Sequence, residues 1–159
     1  MFSTTLCYIE KEGRWLMLHR IRKKNDLNEG KWVGVGGKFL ESESPEECLC
    51  REVREETGYL LHSWQYRGII TFVSDRWESE HMHLFTSSDF SGEYHSCDEG
   101  VAEWIPIEKV MDLNLWEGDR IFLKLLLSAV PFFSLKLVYE GDTLVQAMLN
   151  GKKLESLSS

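Results

Sequence analysis

The sequence predicts an α/β protein in which a mixed β-sheet is sandwiched between α-helices (α/β/α). Many short strand-like segments accompany only two helical segments, which lie far apart in the chain, and this pattern is typical of a sheet covered on both faces. The length of 159 residues suits one domain, over residues 1–159, that can bury a substantial core. Hydrophobic residues make up 43% of the chain and charged residues 28%, which indicates a globular rather than a disordered protein.

The predicted strands follow from short apolar and β-branched runs bounded by turn residues. The first two form a hairpin around Gly13, and the last two close the chain around a turn at residues 140–142. The polar tail, residues 151–159, is expected to be flexible. In chain order, the predicted strands cover residues 4–9, 14–20, 68–73, 81–86, 103–107, 135–139 and 143–148.

The first helix carries sequence signals for both of its ends. Ser44 is the predicted N-cap, Pro45 takes the first helical position, and Glu47 completes a capping box. Gly58 is expected to end this helix in the left-handed conformation. The second helix is expected over residues 119–127, which are largely apolar and therefore mostly buried.

The charge balance restricts the classes of partner. The chain has 18 Lys and Arg against 26 Asp and Glu, a net charge of −8, which argues against a nucleic acid polymer bound through a basic face.

No apolar run approaches the roughly 18 residues of a membrane-spanning helix, and the N-terminus lacks a signal-peptide pattern. The four cysteines are too few for a disulfide framework. We therefore expect a cytoplasmic protein without a membrane partner.

Three glutamates in the first helix indicate a metal site. Glu52, Glu55 and Glu56 are spaced i, i+3 and i+4, so they share one helix face, where like charges repel each other. Clustered carboxylates are the ligands that Mg2+ and Mn2+ prefer. The alternative is a solvated acidic face with Arg51 and Arg54 as ion-pair partners.

The residues around these glutamates favour the metal site. Gly37 is followed by five residues and Glu43, and after seven more residues the chain reads REVREETGY over residues 51–59. This pattern resembles the Nudix box, G-x5-E-x7-R-E-U-x-E-E-x-G-U, in which U is bulky and apolar. Every specified residue is present within residues 37–59, although Tyr59 is slightly polar for the last position. The resemblance implies the Nudix fold and hydrolysis of a nucleoside diphosphate linked to another group.

The same resemblance implies roles for individual residues. Mg2+ is the implied cofactor, with Mn2+ as a second candidate, because divalent cations neutralise phosphate charge and activate water. Glu43 and Arg51 are expected to pair and to fix the loop against the helix. The implied metal ligands are the Gly36 carbonyl oxygen, Glu52, Glu55, Glu56 and Glu99. The implied catalytic residues are Arg51, Glu55, Glu56 and Glu99, the three glutamates being candidates for deprotonating water.

Beyond the box, residues 4–149 resemble the MutT-like enzymes that act on oxidised purine nucleoside triphosphates. The resemblance implies that a nucleoside triphosphate such as 8-oxo-dGTP is cleaved to a monophosphate and pyrophosphate, which would clear damaged nucleotides from the pool. The implied substrate-binding residues are Lys23, Leu27, Val33, Lys38, Trp116 and Asp119.

Two of these residues also have ordinary structural explanations. Trp116 either stacks on the purine or packs in the core, and Asp119 either hydrogen-bonds the base edge or caps the second helix. Val33 stands where the relatives carry Asn, and Gly118 replaces the first of two adjacent acids. Fewer polar groups that contact the base imply a looser base preference.

Other functions remain open at the level of sequence. The substrate could instead be ADP-ribose, a dinucleoside polyphosphate or a pyrimidine triphosphate, and the chain could be a nucleotide-sensing domain without catalysis. The intact set of carboxylates argues against mere sensing. His81 and His83 share a strand face but lack a third ligand, which favours a surface pair over a zinc site. The expected oligomeric state is monomer or homodimer.

Overall fold

A computed structural model describes residues 1–21, 27–96 and 100–155 of the chain. Its helices are α1 (Pro45–Thr57) and α2 (Glu117–Leu127), with a short 3-10 helix over Ile107–Asp112. Its strands are β1 (Phe2–Lys11), β2 (Arg14–His19), β3 (Trp32–Val33), β4 (Leu60–Ser74), β5 (Glu80–Ser91), β6 (Val101–Pro106), β7 (Phe133–Glu140), β8 (Thr143–Leu149) and β9 (Lys152–Lys153).

The strands of the described residues form one mixed sheet. Their order is β3-β2-β1-β5-β4-β7-β8-β9, and β6 pairs with β2 outside this path. The β1–β5 and β4–β7 ladders are parallel. The other ladders are antiparallel. The predicted mixed sheet is therefore confirmed.

The two helices cover opposite faces of this sheet, because side chains of a strand alternate between its faces. Leu6 and Tyr8 of β1 belong to the hydrophobic cluster that contains the apolar residues of α2. Their neighbours Cys7 and Ile9 belong to the cluster that α1 covers. This layering confirms the predicted α/β/α arrangement. In the part of the chain that the structure describes, neither helix nor any other is long and apolar enough to cross a membrane.

Several elements extend beyond their predicted bounds. β4 begins at Leu60 rather than at residue 68, because main-chain pairing with β5 continues through polar residues and several register shifts. Such irregular pairing leaves no regular alternation in the sequence. The 3-10 helix was absent from the prediction, since six residues are too short for a periodic pattern.

The start of the tail is also ordered where flexibility was expected. β9 pairs with β8 through a tight turn in which Asn150 and Gly151 have φ values of 52° and 85°. Two residues with positive φ are typical of a hairpin turn at an Asn-Gly pair. Leu154 then packs against the core, which adds a tertiary contact to the hairpin.

Candidate active site

The ends of α1 are held by the side chains that the sequence predicts. The Ser44 side chain accepts a hydrogen bond from the Glu47 backbone N–H at 3.1 Å, and the Glu47 carboxylate accepts one from the Ser44 N–H at 2.9 Å. Gly58 has a φ of 83°, and its N–H donates to the Arg54 carbonyl. Both helix ends and the capping box are confirmed, so the register of the glutamates on α1 is fixed locally.

A bidentate ion pair connects α1 to the loop that precedes it. Arg51 donates from Nε to Glu43 Oε2 at 2.6 Å and from Nη2 to Glu43 Oε1 at 2.9 Å. The same guanidinium donates to the Lys38 carbonyl at 2.9 Å, and the Leu40 N–H donates to Glu43 Oε1 at 2.7 Å. These hydrogen bonds lower the pKa of Glu43 to about 2. The expected pairing of Glu43 with Arg51 is thus present, and Arg51 positions the loop.

Arg51 also contacts two of the three candidate metal ligands. Its Nη1 lies 2.8 Å from Glu52 Oε1 and 3.2 Å from Glu55 Oε2. Glu56 is buried, with 8% of its surface exposed, whereas the Glu55 side chain is 61% exposed. Across the described ranges, no three His, Cys, Asp or Glu side chains converge on one point. In this structure, Glu52 and Glu55 are therefore ion-pair partners of Arg51.

The residues nevertheless fit a divalent cation. A Cβ atom on Gly37 would lie 2.5 Å from the Cδ and Oε2 atoms of Glu52, so the backbone of the loop lies directly against this carboxylate. A Cβ atom on Gly36 would lie 1.8 Å from the Thr5 carbonyl oxygen. Glu52, Glu55 and Glu56 offer only oxygen donors, and Glu55 is exposed enough to reorient toward a shared ion. Hard cations such as Mg2+ prefer this donor set.

A cavity of about 120 Å³ lies beside the glycine loop. It connects Gly36 and Gly37 with residues that come from β1, β3, β5, α2 and β7. The predicted site residues that line it are Leu27, Val33, Gly36, Trp116 and Asp119. The structure therefore gathers residues that are scattered along the chain into one pocket.

Among the described residues, five predicted site residues do not line this pocket: Lys38, Arg51, Glu52, Glu55 and Glu56. Lys38 does not line it, because its Nζ lies 4.5 Å from the centroid of the Phe2 ring. Lys23 and Glu99 lie outside the described residues. His81 and His83 lie on β5, where His83 shares a hydrogen bond with the Tyr66 hydroxyl, and they belong to no group of metal ligands among the described residues.

Trp116 packs in the core and lines the cavity at the same time. Its indole is 6% exposed and makes edge contacts with Tyr139 and Phe72, at centroid distances of 5.0 and 6.0 Å. Its Nε1 donates to Asn28 Oδ1 at 2.9 Å. Lys31 Nζ lies 5.2 Å from the ring centroid. These contacts hold the indole in one orientation at the cavity wall.

Asp119 is a cavity acid and not the N-cap of α2. The N-cap position is Trp116, which has no side-chain cap, and Asp119 is the third helical residue. Asp119 is 6% exposed. Its burial raises the pKa of the carboxyl to about 7, although the positive charges of Lys31 and Arg120 oppose this. The carboxyl group is therefore partly protonated near neutral pH.

The neighbouring Gly118 is explained by close packing. Its N–H donates to the Tyr139 hydroxyl at 2.7 Å. A Cβ atom at this position would lie 2.5 Å from Leu137 Cδ1 and 2.7 Å from the same hydroxyl. The phenol of Tyr139 thus fills the space that a side chain at position 118 would need.

The structure also adds polar residues that the sequence analysis missed. Glu80 lines the cavity and is 6% exposed, and Asn28 joins it through its contact with Trp116. Glu80 lies two positions before Met82, so the two side chains share one face of the strand. This spacing was the sequence signal that Glu80 lines the cavity. Asn28 lies in a polar loop and carried no such signal.

Comparisons with known proteins agree with this geometry. A model of the NUDIX domain family matches residues 3–126. The chain is 29% identical over 147 residues to the oxidized purine nucleoside triphosphate hydrolase of Danio rerio, covering 92% of each chain. It is 31% identical over 120 residues to the uncharacterized Nudix hydrolase YvcI of Bacillus subtilis, covering 72% of each. A crystal structure of the MutT protein from Bacillus halodurans matches with a TM-score of 0.85 and 25% identity, covering 96% of this chain and 99% of that one. The chain therefore belongs to the Nudix family, and it is a MutT-like Nudix hydrolase.

Proposed function

We propose that this protein is a Mg2+-dependent pyrophosphohydrolase that cleaves a nucleoside triphosphate to a monophosphate and pyrophosphate, with oxidised purine nucleotides such as 8-oxo-dGTP as preferred substrates. One observation carries the proposal: a single cavity runs from the Gly36–Gly37 loop, which lies against Glu52, to Trp116 and Asp119. A nucleotide placed there has its phosphates near α1 and its base near α2. The similarity to the Danio rerio enzyme supports the same substrate class.

The phosphate end of the site is organised by α1 and its preceding loop. When bound, a divalent cation neutralises phosphate charge and lowers the pKa of water, and Mn2+ supplies the same chemistry. Glu52, Glu55 and Glu56 are the residues that would hold it, together with the Gly36 carbonyl and Glu99. The Glu43–Arg51 pair keeps the glycine loop against the helix, so the carboxylates and the substrate phosphates meet in a fixed register.

The proton of the attacking water is taken by a carboxylate. Glu55, Glu56 and Glu99 are our candidates for this general base. Glu55 is exposed to solvent, whereas Glu56 is buried. The hydroxide attacks phosphorus within the triphosphate, the P–O bond breaks, and pyrophosphate leaves.

The base end of the site combines an aromatic wall with a carboxyl group. Trp116, Leu27 and Val33 supply apolar surface for a planar base. Asp119 both donates and accepts hydrogen bonds near neutral pH, because its pKa is about 7. A carboxyl group that occurs in both the protonated and the ionised form pairs with base edges that differ in their hydrogen-bond donors and acceptors. One such edge carries the extra N–H that oxidation creates on a purine.

Pyrophosphate release from a panel of nucleotides tests the proposal. With Mg2+ present, we expect 8-oxo-dGTP to be cleaved with a higher kcat/KM than dGTP, CTP or ADP-ribose. Replacing Glu55 or Glu56 by Gln is expected to lower kcat by about 100-fold or more, because the carboxylates hold the metal and accept the proton. Glu41→Gln is the control, since Glu41 is exposed within the same acidic segment.

Two results would refute parts of this proposal. Near-wild-type turnover of Glu55→Gln and Glu56→Gln at saturating Mg2+ would remove the assigned metal site. Equal kcat/KM values for 8-oxo-dGTP and dGTP would remove the preference for oxidised purines while leaving the hydrolase activity itself intact.

A further inference from the structure

Glu80 places a second carboxyl group in the cavity at its base end. It is the first residue of β5, and its backbone pairs with Phe2 of β1 and with Phe72 of β4. Central strands on both sides therefore fix its position. Its side chain lines the cavity together with Met82 and Leu137 and is 94% hidden from solvent.

The Glu80 carboxylate is anchored through one oxygen. Thr4 Oγ1 donates a hydrogen bond to Glu80 Oε2 at 2.7 Å. The other oxygen, Oε1, makes no hydrogen bond with a described residue. A carboxylate has acceptor capacity for several N–H groups, so this oxygen is open to a donor from a ligand or from water.

Asp119 repeats the same situation on the opposite element. It is equally buried, it lines the same cavity, and no described residue donates a hydrogen bond to its carboxyl group. The negative charge of Glu80 also contributes to the raised pKa of Asp119, in agreement with their shared place in the cavity wall. Arg20 and Asn28 also line this cavity, and the Asn28 amide oxygen accepts a hydrogen bond from Trp116 Nε1.

The Glu80 carboxylate offers an acceptor at the base end of the cavity, and a base that complements it presents a donor there. Purine bases present donors through ring N–H groups and through exocyclic amino groups. A carboxylate that faces a base without an amino group would lose its water and gain no partner, which disfavours that base strongly.

We propose that Glu80 is a specificity-determining residue that accepts a hydrogen bond from a purine amino group, so that amino-bearing purine nucleotides are preferred over those of hypoxanthine. The inference rests on the proposed function, because it assumes that the base lies in this cavity. Thr4 acts on the base indirectly, by orienting the Glu80 carboxylate. Hypoxanthine is the informative comparison, since it carries neither a 2-amino nor a 6-amino group.

The test compares kcat/KM for dGTP, dATP and dITP in variants of Glu80. We expect the wild-type protein to prefer dGTP or dATP over dITP by about 10-fold to 100-fold, the range for a hydrogen bond to a charged group. Glu80→Met keeps the chain length and removes both acceptors, so the preference should fall to about 1, mainly through a higher KM. Glu80→Gln keeps one acceptor and is expected to retain an intermediate preference.

Glu78→Gln is the matched control, because Glu78 is 63% exposed and contacts only the N-terminal amino group in the described part of the chain. This variant should keep the wild-type preference. Circular dichroism and the Tm of each variant report whether the fold persists. If Glu80→Met does not fold, the ratio for Glu80→Gln decides the question. An unchanged preference in the folded Glu80 variants would overturn the assignment.

Product binding separates this inference from the proposed hydrolysis. Titration calorimetry with dGMP, dAMP and dIMP, without metal, reports on base recognition alone. If no nucleoside triphosphate is cleaved, the proposed function fails, yet weaker dGMP or dAMP binding by Glu80→Met still supports Glu80 as the amino acceptor. If the triphosphates are cleaved and the monophosphate affinities do not change on substitution, Glu80 has no role in selecting the base.

Discussion

At the scale of single residues, burial changes the chemistry of ordinary acids. Asp119 is surrounded by core side chains, so the neutral form of its carboxyl group is favoured despite the nearby charges of Lys31 and Arg120. The same effect raises the pKa of Glu80, whose burial outweighs its hydrogen bond from Thr4.

The raised pKa of Asp119 predicts a pH-dependent stability. The folded protein holds this proton up to a pH of about 7, whereas the unfolded chain releases it near 3.8. The free energy of unfolding should therefore fall as pH rises from about 4 to about 7, and level off above that. Asp119 contributes roughly 4 kcal/mol to this change at most, from about 1.4 kcal/mol per pKa unit.

Denaturant unfolding of Asp119→Asn between pH 4 and pH 8 measures this contribution. The variant should lose a large part of the wild-type slope, because Asn cannot titrate. Glu117→Gln is the control, since Glu117 lies exposed two residues earlier on the same helix. Parallel stability curves for the wild-type protein and Asp119→Asn would contradict the assignment.

At the scale of elements, α1 is specified by its own sequence. Ser44, Glu47 and Gly58 satisfy the backbone groups at its two ends, and these contacts span only a few residues. The predicted and observed bounds agree for this reason. α2 lacks a side-chain cap at its N-terminus, and its start at Glu117 was placed two residues too late.

The conformation and close packing of Gly58 predict that its replacement lowers the free energy of unfolding. Its φ of 83° is costly for an L-residue, and a Cβ atom would lie 2.4 Å from the Glu93 carbonyl oxygen. Gly58→Ala should lower the free energy of unfolding by about 2 kcal/mol or more, from strain and collision together. Urea unfolding measures this change.

Gly13→Ala provides the matched comparison. Gly13 also has a positive φ, of 73°, but no atom lies within 4 Å of the position of its Cβ. This variant isolates the backbone cost, which is about 1 kcal/mol. Equal losses for Gly13→Ala and Gly58→Ala would show that the Glu93 carbonyl moves away without cost.

At the scale of the whole molecule, the sheet brings the two ends of the site together. α1 covers one face of the sheet and α2 the other. The glycine loop runs along β1, with bridges at Thr4–Lys38 and Cys7–Val35, so it connects the acidic helix to the cavity. The loop that lies against Glu52 of α1 thus borders the same cavity as Asp119 of α2.

The acidic segment predicts that a divalent cation stabilises the folded protein. Seven glutamates and two arginines lie between residues 41 and 56, so this segment holds most of the net negative charge. Mg2+ that binds only the folded state should raise the Tm, by an amount equivalent to about 2.7 kcal/mol at 100 times its Kd. Differential scanning calorimetry with Mg2+ and then with a chelator measures this change.

Glu56→Gln should lose most of the Mg2+-dependent rise in Tm, because it removes one carboxylate of the proposed site. Glu41→Gln leaves that site intact and should keep the rise. An equal rise in Glu56→Gln and in the wild-type protein would mean that Mg2+ binds elsewhere on the acidic surface.

The sequence by itself determined the features that depend on near neighbours. The limits of α1, the Glu43–Arg51 pair and the spacing of the glutamates follow from contacts between residues that are close in the chain. These features also carry the family resemblance. For the same reason, the fold class and the acidic helix were predicted correctly.

The tertiary structure alone decided which side chains enter the cavity. Glu80 and Asp119 line one cavity from β5 and α2, and Lys38 Nζ lies over the Phe2 ring. Burial of a side chain depends on residues that are distant in the chain, so no local pattern reveals it. The physical reason is that hydrogen bonds of a helix end are local, whereas removal of a carboxyl group from water is a property of the packed molecule.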